Sequence, residues 1–261
     1  MKTIKLALSI SLFSILFSGM AFSQTINQKD SKGRKVGKWI VKYENSSRVK
    51  YKGNFKEGKP TGLFVFYYEE SGKVKAKNTY FKNGMNSKVS TYYENGKLMS
   101  MGNYVNQVKD STWVYMDQWG NYVSQETYKF GKKHGKCIDF YPFNPRIDGG
   151  RPQILEITMY SYGEKEGEYQ KFYKNGVVLK QSKFIAGEKE GKETTYYPTG
   201  KKMTEIHYKH GVKHGFVLNY DGNEKLTSRQ YFSNGYELTG KQLENHLEHK
   251  KQKAKNAGIK N

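Results

Sequence analysis

The chain has 261 residues, with 45 Lys or Arg against 24 Asp or Glu, so its formal net charge is +21. This excess favours an anionic partner, although lysines also keep an open sheet soluble and block edge pairing. The one cysteine, Cys137, excludes an internal disulfide, so packing and hydrogen bonds must stabilise the fold.

The N-terminal segment has the pattern of a secretion signal. Two lysines stand at the start of an apolar run that ends near residue 17, and Ala21 and Ser23 have the spacing of a signal peptidase site. The apolar run is short for a membrane span. We therefore predict a cleaved signal peptide at residues 1–23, with a retained anchor as the alternative, and a lead-in at residues 24–32.

Residues 33–235 consist of a repeated unit. The letters GEKEG occur at residue 163 and again at residue 187, which is 24 residues later. Most units have a second glycine four residues after the first, and Lys88 and Ser111 break this pattern in the third and fourth units. The units open at Gly33, Gly58, Gly84, Gln107, Gly131, Gly163, Gly187 and Gly211, and Gly235 closes the last one.

Each unit also has an aromatic residue three positions before the next opening residue. Eight occurrences in eight units make this the most regular feature of the sequence, and we assign these rings to the repeat core. They are Phe55, Phe81, Tyr104, Tyr128, Tyr160, Phe184, Tyr208 and Phe232.

The unit has the signals of a β-hairpin. Runs such as LFVFYYE are rich in β-branched and aromatic residues, and turn pairs such as Asn175-Gly176 stand at the midpoint of most units. One hairpin is marginal alone, so the hairpins must stack edge to edge. The predicted fold is all-β: an elongated, twisted antiparallel meander of about eight stacked hairpins with a short C-terminal helix.

Apolar residues stand six and nine residues after the opening residue of most units, and we call these positions the sixth and ninth places. The two places lie on opposite faces of a regular strand. Cys137 occupies the sixth place, which is apolar in most units, with Ser90 and Glu193 as exceptions. We assign Cys137 to the core, with a reactive thiol beside His134 as the alternative. The second face should be partly covered, and twist, dimerisation or a bound partner would each cover it.

Together, G-x-x-x-G, an aromatic strand, a midpoint Asn-Gly and aromatic-x-x-Gly resemble the MORN repeat (membrane occupation and recognition nexus), and above all its bacterial variant. GKKHGKCIDFY and GVKHGFVLNY are close to the consensus of that variant. The resemblance implies stacked hairpins that bind proteins or membranes and have no common catalytic residues. With the signal segment, it also implies a bacterial protein that is periplasmic, outer-membrane-associated or secreted.

No motif in the sequence predicts catalysis, and we assign no catalytic, cofactor-binding or metal-binding residue. His207, His210 and His214 have a spacing that metal ligands use, but they flank a return turn, and His214 matches His134 in an earlier unit. The carboxylate pairs lie on a sheet that offers no deep cleft for a glycosidase. An enzyme is retained only as a third alternative.

The fifth unit is longer than the others because of an insertion at about residues 142–152. Insertions in repeat proteins often lie at a binding edge, so the candidate partner-binding residues are Arg146, Asp148 and Arg151. A tolerated surface insertion is the alternative. Tyrosines beside lysines on the sheet form a second candidate surface, for sugar or peptide, unless these rings belong to the core.

After Gly235 the repeat stops, and residues 236–261 are predicted to form a short polar helix, from about 241 to 253, and a basic tail. The helix would cap the last strand or contact an anionic membrane. We therefore predict a non-catalytic exported scaffold that binds a protein or an anionic envelope lipid or polysaccharide. The alternative is an adhesin-like binder of anionic polysaccharide, and nucleic acid is disfavoured because of export. After signal cleavage no transmembrane span is expected.

Overall fold

The computed structural model describes residues 25–143 and 150–256. The predicted signal peptide, the candidate residues Arg146 and Asp148, and the last five residues of the basic tail lie outside the described residues. Within the described residues, no helix is both long and apolar enough to cross a membrane.

Twenty strands and one helix make up the described chain. The strands are β1 (Gln28–Lys29), β2 (Lys35–Lys42), β3 (Val49–Lys56), β4 (Lys59–Tyr67), β5 (Val74–Phe81), β6 (Asn86–Tyr92), β7 (Leu98–Val105), β8 (Val108–Met116), β9 (Tyr122–Lys129), β10 (Lys132–Lys133), β11 (Gly135–Phe140), β12 (Ile154–Ser161), β13 (Glu164–Phe172), β14 (Val178–Ile185), β15 (Glu188–Lys189), β16 (Gly191–Tyr196), β17 (Lys202–Lys209), β18 (Val212–Tyr220), β19 (Leu226–Ser233) and β20 (Tyr236–Leu238). The helix α1 spans Gly240–Asn256.

Each strand pairs antiparallel with the next along the chain. β10 and β11 both pair with β9, so they form one strand that is interrupted at a single residue. In the same way, β15 and β16 both pair with β14 and form one interrupted strand. The result is an open 20-stranded antiparallel meander, with 60% of the described residues in strands and 8% in the helix. This confirms the predicted fold class.

The two glycines of the G-x-x-x-G pattern have different structural roles. Gly58 lies in a two-residue return turn with Glu57, and both have positive φ, of 80° and 49°. Gly62, with φ of 65°, lies where the pairing of β3 with β4 shifts register. Glycine adopts this left-handed conformation without the steric cost that other residues incur, which explains why it recurs at both places.

The fourth unit keeps this geometry without either glycine. Gln107 and Ser111 stand at the two places with φ of 66° and 59°. Loss of the two glycines therefore produces backbone strain rather than a change of shape, because β7 and β8 show the register shift of the other units.

The third unit differs more. Its return turn is a four-residue loop, since Phe81 pairs with Asn86, and β5 and β6 pair without a register shift. Counting from Gly84 is therefore wrong by one residue. Tyr80, not Phe81, occupies the ring position, and Val89, not Ser90, occupies the sixth place.

We call the sheet face that carries the sixth-place residues the ring face. On it, large side chains of one strand lie over glycines of the preceding strand. A Cβ atom added to Gly53 would lie 2.3 Å from the Phe64 ring, and one added to Gly102 would lie 2.3 Å from Trp113. The buried apolar residues of this row are Phe64, Val89, Trp113, Cys137 and Val217.

Successive hairpins are joined by a ladder of tyrosines at the midpoint-turn edge. The hydroxyl of each tyrosine donates to a backbone carbonyl in the next unit at 2.6–2.9 Å. The donor and acceptor residues are Tyr43 and Tyr67, Tyr68 and Tyr92, Tyr93 and Met116, Tyr141 and Phe172, Tyr173 and Tyr196, and Tyr197 and Tyr220. These bonds add to the strand pairing that joins successive units.

The return turns are joined in a similar way. A side chain near the start of one unit accepts the backbone N–H of a positive-φ residue in the next return turn, as Glu190 Oε2 does from His210 N at 2.9 Å. The other four acceptors and donors are Asn86 and Asn106, His134 and Tyr162, Glu166 and Ala186, and His214 and Asn234. The side chains of His134 and His214 therefore act as hydrogen-bond acceptors.

The second face is partly covered by side chains of the chain itself. Thr194 is 1% exposed there, and beside it Tyr196 accepts a hydrogen bond from Gln181 while Tyr220 donates one to Glu205. The helix α1 covers Tyr231 of β19 through His246 and Lys250, whose Nζ lies 2.6 Å from the Tyr231 hydroxyl. The helix thus packs against the last long strand.

Candidate partner-binding surface

A ladder of alternating rings and lysines crosses the ring face near the return turns. In six units, a lysine two residues after the opening residue lies over the ring that ends the unit, with Nζ 4.7–5.4 Å from the ring centroid. The pairs are Lys35 and Phe55, Lys109 and Tyr128, Lys133 and Tyr160, Lys165 and Phe184, Lys189 and Tyr208, and Lys213 and Phe232. These contacts have cation–π geometry.

The lysine is visible in the sequence as G-x-K in five of these units and as Gln107-Val108-Lys109 in the fourth, although it was not among the predicted site residues. From Lys109 onward, each lysine is also the direct cross-strand partner of the ring before it, as Lys213 is of Tyr208. Two units lack the lysine. Pro60 faces Phe55 and Ser87 faces Tyr80 in its place.

A trough opens on the ring face where the ladder is interrupted. One groove of about 560 Å³ lies toward the midpoint turns, and a second of about 510 Å³ lies toward the return turns. They share Asn78 and Tyr104, and Pro60 and Ser87 line the second one. We call the two grooves together the trough.

Small side chains create the trough. In one cross-strand row, β5, β6 and β7 carry Ala76, Thr91 and Ser100, whereas the neighbouring β4 and β8 carry Phe66 and Tyr115. At the sixth place this unit has Val89, where the flanking units have Phe64 and Trp113. The irregular third unit therefore provides the floor, and larger side chains flank it.

The charge of the trough has one sign. Lys50 and Lys75 line the groove near the midpoint turns, beside Tyr43 and Tyr68, and the described lining residues include no Asp or Glu. The tyrosine hydroxyls there already donate to backbone carbonyls. The two ammonium groups are thus the charges that a bound molecule would meet.

The floor of the trough also holds an unsatisfied polar atom. Asn78 Nδ2 lies 3.3 Å from the Tyr80 hydroxyl, whereas the buried Asn78 Oδ1 has no hydrogen-bond partner among the described residues. An unpaired buried amide oxygen costs about 1–3 kcal/mol. Thr158, Ser182, Glu193 and Thr194 also have such an atom, and Asn78 is the one of these five residues that lines the trough.

The ring face of the later units has a different chemistry. Glu193 is 3% exposed and contacts two lysines, with Lys189 Nζ at 2.6 Å and Lys180 Nζ at 3.7 Å. Glu126 contacts Lys133 at 2.7 Å and accepts a hydrogen bond from Tyr128. Burial alone would raise the pKa of Glu126, but these hydrogen bonds lower it. In the later units, ion pairs therefore occupy positions on the ring face that are open in the trough.

In one acidic pair of this region, the pKa of a carboxyl group is shifted in the opposite direction. Asp139 and Glu156 face each other directly across β11 and β12. Burial, followed by repulsion from Glu156, raises the pKa of Asp139. The Tyr169 hydroxyl donates to Glu156 at 3.1 Å, and burial together with the Glu156 charge raises the pKa of Tyr169.

Seven of the eight rings assigned to the repeat core are half-buried on the ring face. Phe81 is the exception, because it is 39% exposed and points away from the ring face, where Tyr80 packs edge-on against Phe64 at 5.1 Å. Arg151 is exposed in the insertion. The structure does not bring Arg151 to the trough.

The surroundings of the cysteine and of the histidines indicate a structural role rather than a reactive or metal-binding one. Cys137 is a free thiol that is 4% exposed in the sixth-place row, and burial raises its pKa. No cluster of His, Cys, Asp or Glu suited to a metal ion occurs among residues 25–143 and 150–256.

Three segments of the chain match the family model described as the MORN repeat variant. They are residues 85–106, 165–186 and 189–210, and each spans the two strands of one hairpin. No curated protein matches the chain. These three segments therefore carry the MORN repeat variant, which confirms the repeat class that the sequence resembles.

Repeats of this family commonly mediate binding to proteins or membrane lipids, and the family is generally non-catalytic. The fold and the matches together define a repeat scaffold. The first matched segment is the hairpin of β6 and β7, which contributes much of the floor of the trough.

Proposed function

We propose that the chain is an exported, non-catalytic scaffold whose ring face binds a protein partner at the cell envelope. The observation that carries the proposal is the trough, where an otherwise regular ring–lysine ladder stops and an open, positively charged depression takes its place. A regular repeat needs no such gap for its own packing.

Several features support a binding role over catalysis. The ion pairs and rings of the later units are engaged with one another, and Cys137 is buried with a raised pKa, which disfavours a nucleophilic thiol. The pattern of residues 1–23 supports export to the periplasm, the outer membrane or the outside of the cell.

An anionic envelope lipid or polysaccharide is the second candidate, supported by the net charge of +21. A polysaccharide would have to stack on ring faces that lysines already cover in six units. The ladder therefore favours a protein partner over sugar stacking, while anionic lipid remains an alternative that needs only the surface charge.

The test is a binding assay with the purified mature chain, residues 24–261. A protein scaffold should retain a defined set of envelope proteins from a detergent extract, and this set should be lost when the chain is heat-denatured. Cosedimentation with phosphatidylglycerol vesicles but not with phosphatidylcholine vesicles, without any retained protein, would contradict the protein proposal. It would support the lipid alternative.

A further inference from the structure

We propose that the trough binds an extended peptide segment that carries apolar side chains and at least one carboxylate. This inference rests on the proposed function and specifies the partner chemistry. The trough runs along the strands from Pro60 and Gly84 near the return turns to Tyr43 and Tyr68 near the midpoint turns. Eight strand residues extend about 26 Å, so an extended peptide of about eight residues would span the trough.

The lining selects apolar side chains. Phe66, Ala76, Val89 and Met99 face the larger groove, and Tyr104 separates it from the smaller one. Aliphatic or aromatic side chains of a peptide would remove this surface from water, which is the main favourable term in such association. The alternating side chains of an extended segment would point into the trough at every second residue.

The charges select a carboxylate. Lys50 and Lys75 are exposed at one end of the trough, and the described lining residues contribute no opposing charge. An acidic side chain on the peptide would meet both ammonium groups, and it would also be steered toward a chain with a net charge of +21. A basic peptide would be repelled.

Asn78 selects a peptide over a lipid. Its side-chain amide has one atom without a partner, and a peptide backbone offers both N–H and C=O groups, so it satisfies the Asn78 amide in either orientation. An acyl chain with a phosphate headgroup supplies apolar surface and negative charge but no amide at this depth. Asn78 lines both grooves, so its amide is placed where a bound peptide backbone would lie.

The test uses the mature chain and fluorescein-labelled ten-residue peptides in which every second residue is apolar, except that Asp or Glu takes the last position of that series. Matched peptides replace the acids with Asn and Gln, or with Lys. In fluorescence anisotropy the acidic peptides should bind at least about tenfold more tightly than the amide peptides, and the Lys peptides should not bind. Equal binding of all three sets would overturn the proposal.

Variants then locate the site. Ala76→Phe fills the floor and should weaken the binding of the acidic peptides about tenfold or more. Ser228→Phe is the control, because Ser228 lies in the same row of the ring face but in the last hairpin, where it is exposed. If both variants bind the peptides as the parent does, the trough is not the site.

Three further variants keep the test independent of folding. The double change Lys50→Glu and Lys75→Glu affects exposed side chains and should abolish binding, whereas Lys56→Glu with Lys59→Glu in the neighbouring return turn should change it little. Asn78→Leu should weaken binding without lowering the melting temperature. The site can therefore be tested even if Ala76→Phe loses the fold.

The lipid arm uses the same variants with phosphatidylglycerol vesicles. Vesicle binding that depends on Ala76 and Lys75, with peptides that do not bind, would overturn the peptide assignment. If trough variants still retain the envelope proteins held by the parent chain, the proposed scaffold function stands and this inference fails. If the parent retains no protein and binds no peptide, both fail.

Discussion

The hairpins of the first half and those of the second half share one backbone plan but fill the ring face differently. Around β5 to β7 the ladder of rings and lysines is interrupted at Pro60 and Ser87, and a trough remains. From β9 to β17 the ladder is continuous, and buried carboxylates such as Glu193 bind the lysines in ion pairs. The same repeat therefore produces a packed surface or a binding surface, depending on a few side chains.

The largest expected effect comes from breaking the aromatic flank of the trough. Trp113 is 3% exposed and lies over Gly102, so Trp113→Ala leaves a void and should lower the free energy of unfolding by about 4 kcal/mol. Circular dichroism in a urea series measures it. Trp119→Ala is the control, since Trp119 is 66% exposed and should change stability by less than about 0.5 kcal/mol.

A medium effect is expected from breaking an ion pair of the later units. Glu193→Gln keeps the shape but removes the charge that Lys180 and Lys189 meet, so the free energy of unfolding should fall by about 1.5 kcal/mol. The partner lysines are about one-third exposed and find water, which limits the loss. Glu168→Gln, on an exposed side chain, is the matched control, and an equal loss there would refute the role of the pair.

A smaller gain is expected from removing strain in the fourth unit. Ser111 has φ of 59° at a place where most units have glycine, so Ser111→Gly should raise the free energy of unfolding by about 0.5–1 kcal/mol. The reverse change Gly191→Ser, at the equivalent place in the seventh unit, should lower it by a similar amount. A loss of stability in Ser111→Gly would show that the serine side chain matters more than its backbone.

The smallest effect concerns pH. The pKa of Asp139 is raised in the folded state, so the folded chain binds this proton more tightly than the unfolded chain does. Stability contributed by Asp139 is therefore present at low pH and is lost as the pH rises through the unfolded and then the folded pKa. Asp139→Asn should raise stability by about 0.5 kcal/mol at pH 7, because it removes the repulsion from Glu156.

Melting temperatures of the parent and of Asp139→Asn, measured from pH 3 to pH 7, test this sign. The difference between them should grow with pH. A difference that shrinks as the pH rises would contradict the raised pKa.

Periodicity made much of the fold predictable from the sequence. Glycine and Asn-Gly occur where the backbone must adopt a turn conformation, so their positions mark the hairpins. The order of the hairpins and their antiparallel stacking follow from the amino-acid sequence in the same way. The error at Phe81 has a local cause. Counting back from Gly84 assumes a two-residue return turn, whereas the loop there has four residues and moves the frame by one.

The binding surface could be predicted only in part. The lysine was visible as G-x-K in five units and as Q-x-K in the fourth. Its absence at Pro60 and Ser87 is a signal that sequence reasoning could have used. The trough itself depends on which side chains of β4 to β8 face one another across the sheet. This depends on the registers of four strand pairs, and a sequence pattern without those registers does not give the size of the gap.

Hydrogen exchange of the full mature chain, with and without the acidic peptides, shows directly whether the trough is the binding surface. Exchange should slow in β5, β6 and β7, which span residues 74–105, while β16 to β19 exchange as before. Slower exchange confined to β16–β19 or to residues 150–153, with β5–β7 unchanged, would contradict a binding site in the trough.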